Sequence, residues 1–259
     1  MATPQGAFVW YELMTSDPAA ATAFYTQVLG WSAAASGMPG YTLVSAGPAQ
    51  VAGIMALPDA ARAMGATPGW TGYIAVADVD AAATQVVAAG GATHHAPEDI
   101  PGIGRFAAMA DPHGASFALF CGTPGEEAPP AAAPGTPGHV GWHELHAGDG
   151  AAAFAFYASQ FGWEKHEGMD MGPMGVYQMF GPAGSGGVSI GGMMTKMAET
   201  PHPHWLYYIN VEAIDAAVER VASAGGKVVN GPMEVPGGSW IINGIDPQGA
   251  LFALVAPKR

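Results

Sequence analysis

FVWYELMTSDPAAATAFYTQVLGW, residues 8–31, lies without a gap over VGWHELHAGDGAAAFAFYASQFGW, residues 140–163. Trp10 meets Trp142, Glu12 meets Glu144, Asp17 meets Asp149 and Trp31 meets Trp163. Further along, WTGYIAVADVDAAATQVVAAGG pairs with WLYYINVEAIDAAVERVASAGG, and DPHGASFALF pairs with DPQGALFALV. The chain is therefore two homologous copies that differ by small insertions between residues 31 and 70, and every motif has to be judged against its counterpart.

Each copy divides again into a short apolar strand followed by an amphipathic helix, twice over. In the first copy AFVWYELM precedes a helix predicted from Pro18 to Leu29, and TGYIAVA precedes one from Val79 to Ala89. Asp17 suits the N-cap of the first and Pro18 its first turn, while Phe24 with Val28 and Tyr25 with Leu29 stand one turn apart. Gly90-Gly91 is a left-handed stop for the second. After each helix come about three short strands, among them YTLVSA, QVAGIMA, RFAAMA and SFALF, separated by Gly, Pro and Asp turns. The expected unit, strand–helix–three strands, occurs four times. GTPGEEAPPAAAPGTPG, residues 122–138, has no apolar period and reads as a semi-extended linker between a first domain, 1–121, and a second, 139–259.

Composition narrows the function. The chain has 259 residues, 49% of them hydrophobic, enough for a substantial core. Its 8 Lys and Arg stand against 21 Asp and Glu, a net charge of −13 that repels phosphate backbones and anionic lipid headgroups, so neither nucleic acid nor a membrane is an expected partner. The single cysteine, Cys121, precludes an internal disulfide framework and reads as a small buried hydrophobe. No basic, then apolar leader and no long apolar run is visible, so the expected location is the cytoplasm. The glycine-rich GPAGSGG, residues 181–187, lacks the Lys-Ser/Thr ending of a phosphate loop.

The order of these elements, with AFYTQVLGW after a helix-starting Asp, then DVDAAATQVVAAGGA and DPHGASFALF, resembles the vicinal oxygen chelate superfamily. That superfamily contains glyoxalase I, bleomycin-resistance proteins and extradiol dioxygenases. The tandem form, with its W-x-E-L openings and HWLYYINVE, is similar to the two-domain glyoxalase-like group that includes the mycobacterial 27-kilodalton antigen. The resemblance implies an α+β fold of two tandem glyoxalase-like domains, each pairing two βαβββ modules into a half-open barrel around a cleft. It also implies a divalent ion held by His or Glu at the first and last strands of the modules. Those positions fall on Trp10, about Gly53, Tyr73 and Ala118, and on Trp142, about Gly192, Tyr208 and Ala253. None is a usual metal ligand, so no metal residues are assigned and no cofactor is expected at that place.

In VGWHELHA strand alternation separates His143 from His146 and sets Trp142, Glu144 and His146 on one face. His143 then reads as packed or hydrogen-bonded beneath the helix. The resemblance turns the Trp142 face toward the cleft, so Glu144 there, and Glu12 in the first copy, are the candidate catalytic carboxylates, with a structural acceptor role as the alternative. Candidate ligand-binding residues are Trp10, Tyr73, Arg105, Trp142, His146, His204, Tyr208 and Asn210, which favour a flat or apolar ligand. Trp70 and Trp205 either wall the cavity or pack at the sheet end, and His94-His95 reads as a solvated strand end. The leading function is small-molecule binding or detoxification of the glyoxalase and bleomycin-resistance type, by a monomer or homodimer. The alternative is a glyoxalase-like lyase or isomerase, or a dioxygenase, in which Glu144, His146 and His204 make a nonstandard metal or acid–base site in the second copy only. A third possibility is that the clefts are filled by side chains such as Met55, Phe120 and Trp142.

Overall fold

The computed structural model describes residues 5–123 and 132–259, so residues 124–131 of the expected linker lie outside the described part. The first copy runs β1 (Phe8–Thr15), α1 (Pro18–Leu29), β2 (Ser32–Ala35), β3 (Tyr41–Ala46), β4 (Ala49–Ala56), α2 (Asp59–Ala63), β5 (Gly69–Ala75), α3 (Val79–Ala88), β6 (Ala92–Ile100), β7 (Gly104–Ala110) and β8 (Ser116–Gly122). The second runs β9 (Val140–Ala147), α4 (Gly150–Phe161), β10 (Trp163–Asp170), β11 (Val176–Pro182), β12 (Gly191–Thr195), β13 (His204–Asn210), α5 (Ile214–Ser223), β14 (Lys227–Glu234), β15 (Trp240–Ile245) and β16 (Leu251–Ala256). The strand–helix–three-strand module thus occurs four times, with the short α2 added between the first two.

Local chemistry accounts for the helix ends. Asp17 accepts from the Ala20 amide at 3.0 Å and Asp149 from Ala152 at 2.9 Å, each covering an orphan donor of α1 or α4. Both helices stop at a glycine in the left-handed region, Gly30 at φ 71° and Gly162 at φ 70°. The β2 strand, SAAA, is wholly exposed and carries no apolar alternation, which is why composition alone marks it poorly.

The strands form two open eight-stranded sheets, one per copy, in the orders β2-β3-β4-β1-β5-β8-β7-β6 and β10-β11-β12-β9-β13-β16-β15-β14. In every module the first strand pairs parallel with the last, as β9 does with β12, and the hairpin partners run antiparallel. The fold is α+β, as the family resemblance implies.

Packing groups the chain differently from the sheets. Among the described residues one compact unit contains 5–10, 72–123 and 142–205; the other contains 11–71, 132–141 and 206–259. Each therefore draws most of its residues from one module of each copy. In the second unit the core gathers Leu13, Phe24, Tyr25, Val28 and Ile54 with Ile209, Val221, Phe252 and Leu254. Here the Trp70 indole donates to the Tyr25 hydroxyl at 2.9 Å, Tyr25 donates to Asp246 Oδ2 at 3.1 Å, and Asp246 Oδ1 accepts the Gln248 and Ala250 amides at 2.9 Å each. The first unit repeats the chain of bonds: Trp205 to Tyr157 at 2.9 Å, Tyr157 to Asp111 Oδ2 at 3.3 Å, and Asp111 Oδ1 taking the His113 and Ala115 amides. Trp70 and Trp205 are thus core donors to these tyrosines. The FY of one copy is satisfied by the DPxG aspartate of the other, so both motifs are explained by burial of polar groups that must be paired.

Candidate functional site

The β9 strand sets the site by alternation. Trp142, Glu144 and His146 are half-buried along one face, while His143, Leu145 and Ala147 are buried on the other. His143 donates through Nδ1–H to the Ile190 carbonyl, 2.7 Å away, and stacks on Phe8 at 4.0 Å. Burial lowers its pKa to about 4. It belongs to the packing beneath the sheet, as its place in the strand predicts.

On the other face a polar cluster forms around Glu144. Its Oε1 lies 2.9 Å from His146 Nε2, and its Oε2 accepts the Tyr177 hydroxyl at 2.9 Å. The Tyr177 oxygen in turn accepts the Trp142 indole N–H at 2.8 Å. The Glu144 and His146 side chains keep 14% and 19% of their exposure, enough to meet a ligand yet dry enough to strengthen these bonds. The His204 ring stacks on His146 with centroids 4.8 Å apart and planes 11° from parallel, and its Nδ1 is 3.1 Å from the His202 carbonyl. Burial lowers the His204 pKa, and the neighbouring His146 adds to that. Four predicted residues, Trp142, Glu144, His146 and His204, are brought together here.

Tyr177 was not among the residues expected from sequence. It reaches Glu144 because β12 places a glycine opposite that carboxylate: Gly192 registers with Glu144, and a Cβ on Gly192 would fall inside the Tyr177 ring. The first copy repeats the arrangement, with Gly53 registered to Glu12 and the Tyr41 ring occupying the space over Gly53. The signal in the sequence is a tyrosine opening the second hairpin strand and a bare glycine mid-strand after it, in both copies. Glu12 is 8% exposed, but Met14 stands where the second copy has His146, and Gly69 where it has His204.

The other predicted residues lie in separate contacts. The buried Tyr73 packs near Phe106 and Phe120. Tyr208 accepts from Asn243 Nδ2 at 3.2 Å, and Asn243 accepts from Asn230 at 2.8 Å. Asn210 spends its side-chain N–H on the His139 carbonyl at 2.9 Å, which ties down the chain entering β9. Trp10 lies half-buried on β1. Arg105 faces α3: its guanidinium makes a bidentate pair with Asp80 at 2.6 and 2.9 Å and reaches Asp99 at 2.8 Å. Those carboxylates hold its pKa above the ordinary value, and its hydrogen bonds in turn lower the pKa of Asp80. His95 pairs with Glu98 at 2.6 Å and stacks on Phe106. Cys121 is half-buried at a strand end, its thiol 3.5 Å from the Ala77 carbonyl.

The residues at the implied metal positions do not fit a divalent ion. Trp, Ala and Gly supply no ligand, and over Gly53 and Gly192 the space for a donor side chain is taken by a tyrosine ring. Among the described residues no three His, Cys, Asp or Glu are grouped to hold a metal. The stacking of His146 on His204 gives the reason in the second copy, since face-to-face rings do not converge their nitrogens on one point.

The module architecture and its tandem arrangement define the class of protein. The profile of the Glyoxalase/Bleomycin resistance protein/Dioxygenase superfamily matches residues 7–119 and again 136–254, and the chain belongs to that superfamily. It is 33% identical to CFP32 of Mycobacterium tuberculosis, whose name carries the word glyoxylase, over 98% of this chain and 95% of that one. It is 34% identical to the anthracycline biosynthesis protein DnrV of Streptomyces peucetius, over 96% and 93% of the two chains. In structure it is similar to the Mn(II)-bound glyoxalase of Novosphingobium aromaticivorans, with TM-score 0.63, 17% identity and coverage of 99% and 83%. It is also similar to homoprotocatechuate 2,3-dioxygenase of B. fuscum, with TM-score 0.66, 14% identity and coverage of 98% and 72%. These two likenesses concern the fold. Among the described residues no helix is long and apolar enough to cross a membrane.

Proposed function

We propose that the protein binds a small, planar, hydroxylated aromatic molecule at the polar face of β9, without a metal ion at the superfamily's usual place. The observation that carries this reading is the Tyr177 ring lodged over Gly192 with its hydroxyl on Glu144. That arrangement puts a tyrosine ring where a metal-ligating side chain would otherwise enter, and ties the neighbouring carboxylate to its hydroxyl. The aromatic and imidazole surfaces of Trp142, Tyr177, His146 and His204 suit a flat partner, and Glu144 and His146 suit its hydroxyl groups. Relatives named for anthracycline biosynthesis point to the same chemistry, because such molecules are planar hydroxylated polycycles.

The test is thermal unfolding of chelator-treated protein against a panel of hydroxylated anthraquinones and simpler phenols, with bound metal quantified in parallel. A ligand-dependent rise in Tm in metal-free protein, lost in Glu144→Gln, is expected. Stabilisation that appears only after stoichiometric metal is restored would overturn the metal-free part. A second reading, chemical conversion of the ligand by acid–base catalysis, is favoured by the short Glu144–His146 contact.

A further inference from the structure

In the polar cluster of β9 one end of the hydrogen-bond chain has a fixed direction, and with Glu144 ionised it fixes the rest. An indole N–H donates and never accepts. The Tyr177 oxygen is therefore the acceptor from Trp142 at 2.8 Å, and its own proton is left to point at Glu144 Oε2, 2.9 Å away. A carboxylate that accepts at Oε2 is ionised or carries its proton elsewhere. When ionised it accepts at Oε1 too, so the His146 proton sits on Nε2, 2.9 Å from that oxygen. The lone pair of the imidazole is then on Nδ1.

We propose that Nδ1 of His146 is the proton-accepting atom of this site, and that Glu144, Tyr177 and Trp142 are positioning residues behind it. The carboxylate thus becomes the orienting partner of a histidine base, in place of the base itself. His204 completes the arrangement. Its Nδ1 faces a carbonyl, which can only accept, so its tautomer is also set, and its ring covers one face of His146. Burial disfavours a charge on His204, which would oppose an imidazolium forming 4.8 Å away. The first copy lacks the device, because Met14 replaces the histidine.

The step that follows from this geometry is a proton transfer. The O–H bond of an acidic ligand hydroxyl breaks, its electron pair stays on oxygen to give a phenolate, and the proton forms an N–H bond at Nδ1. The resulting imidazolium is paired with Glu144 through Nε2. Reversal returns the proton to the ligand. No oxidant, reductant or metal enters the balance.

This inference rests on the ligand reading above, but its first test needs no ligand. Long-range ¹⁵N–¹H NMR of the intact protein reports which ring nitrogen carries the proton in neutral His146. We expect Nε2–H with Nδ1 bare in wild type, and a mixture of tautomers in Glu144→Gln, with circular dichroism checking that the fold is kept. A proton on Nδ1 in wild type, or an unchanged tautomer in Glu144→Gln, would overturn the proposal. The second test uses 2-hydroxyanthraquinone, whose visible absorption moves to the red on deprotonation. Bound to wild type near neutral pH it should show the red-shifted band, and bound to His146→Gln it should not. A red shift retained in His146→Gln removes His146 from the role. Failure of the dye to bind at all would count against the ligand reading, leaving the tautomer measurement to decide this one.

Discussion

The Tyr25 hydroxyl donates to Asp246, 221 residues further along the chain, and does so in the interior. A tyrosine from the first helix of one copy is thus satisfied by the DPxG turn of the other, and Tyr157 with Asp111 makes the reciprocal bond. Burial raises the pKa of both Tyr25 and Asp246, while amide and hydroxyl donors pull the Asp246 value back.

Removing that hydroxyl leaves the Trp70 indole without its acceptor and Asp246 with one donor fewer. Tyr25→Phe should therefore cost about 1–3 kcal/mol, the usual penalty for orphaning buried polar partners. Urea denaturation should show a lower midpoint with an unchanged slope, and ¹³C NMR should show Asp246 titrating still higher. An unchanged midpoint would mean that these bonds add nothing to the core.

The same connectivity predicts that a single copy does not fold as a normal domain. Residues 11–71 pack with 206–259 in one compact unit, so a chain cut at the linker loses the partner module on each side. Residues 139–259 expressed alone should show a shallow, non-cooperative urea transition, and mixing with residues 1–123 should restore a steep one. A steep transition in the isolated copy would refute this account of the packing.

His143 makes stability depend on acid. Its folded pKa, about 4, lies below the ordinary histidine value, so between roughly pH 6.5 and 4 the unfolded chain takes up a proton that the folded one refuses. Stability is complete above that window and falls through it, by up to about 3 kcal/mol at 1.36 kcal/mol per unit. His143→Phe keeps the stack on Phe8, and the Ile190 carbonyl still receives the residue-143 amide, so this variant should flatten the pH dependence of the urea midpoint. The same slope in both proteins would assign the effect to another group.

Gly192→Ala tests whether the glycine exists to admit Tyr177. The new methyl overlaps the ring, so the ring must move. A loss of about 1–3 kcal/mol is expected from overpacking. The Trp142 indole proton should shift in the NMR spectrum as its bond to Tyr177 breaks, and Gly53→Ala, on the other sheet, should leave that resonance alone.

Arg105 separates a structural ion pair from a ligand contact. With its donors turned to Asp80 and Asp99, Arg105→Met should leave ligand-induced stabilisation unchanged and shift the urea midpoint slightly. Loss of ligand response in this variant would return Arg105 to the binding site.

Much of this was legible in the residues themselves. The repeat of Trp10-x-Glu12 as Trp142-x-Glu144, the Asp caps and the Gly stops are local signals, and they set the modules, the helix bounds of α1 and the face on which Glu144 and His146 lie. Strand alternation and capping depend only on near neighbours, so the sequence by itself determines them. Tertiary structure decided the rest, because it depends on which distant segments meet. Nothing local says that Tyr25 will find Asp246, that Trp205 will serve Tyr157 in a core, or that Arg105 will be drawn to Asp80. Tyr177 is the clearest instance. It acquires a role only when the register of β12 on β9 sets Gly192 against Glu144 and leaves room for one ring, a matter of packing volume that no local pattern encodes.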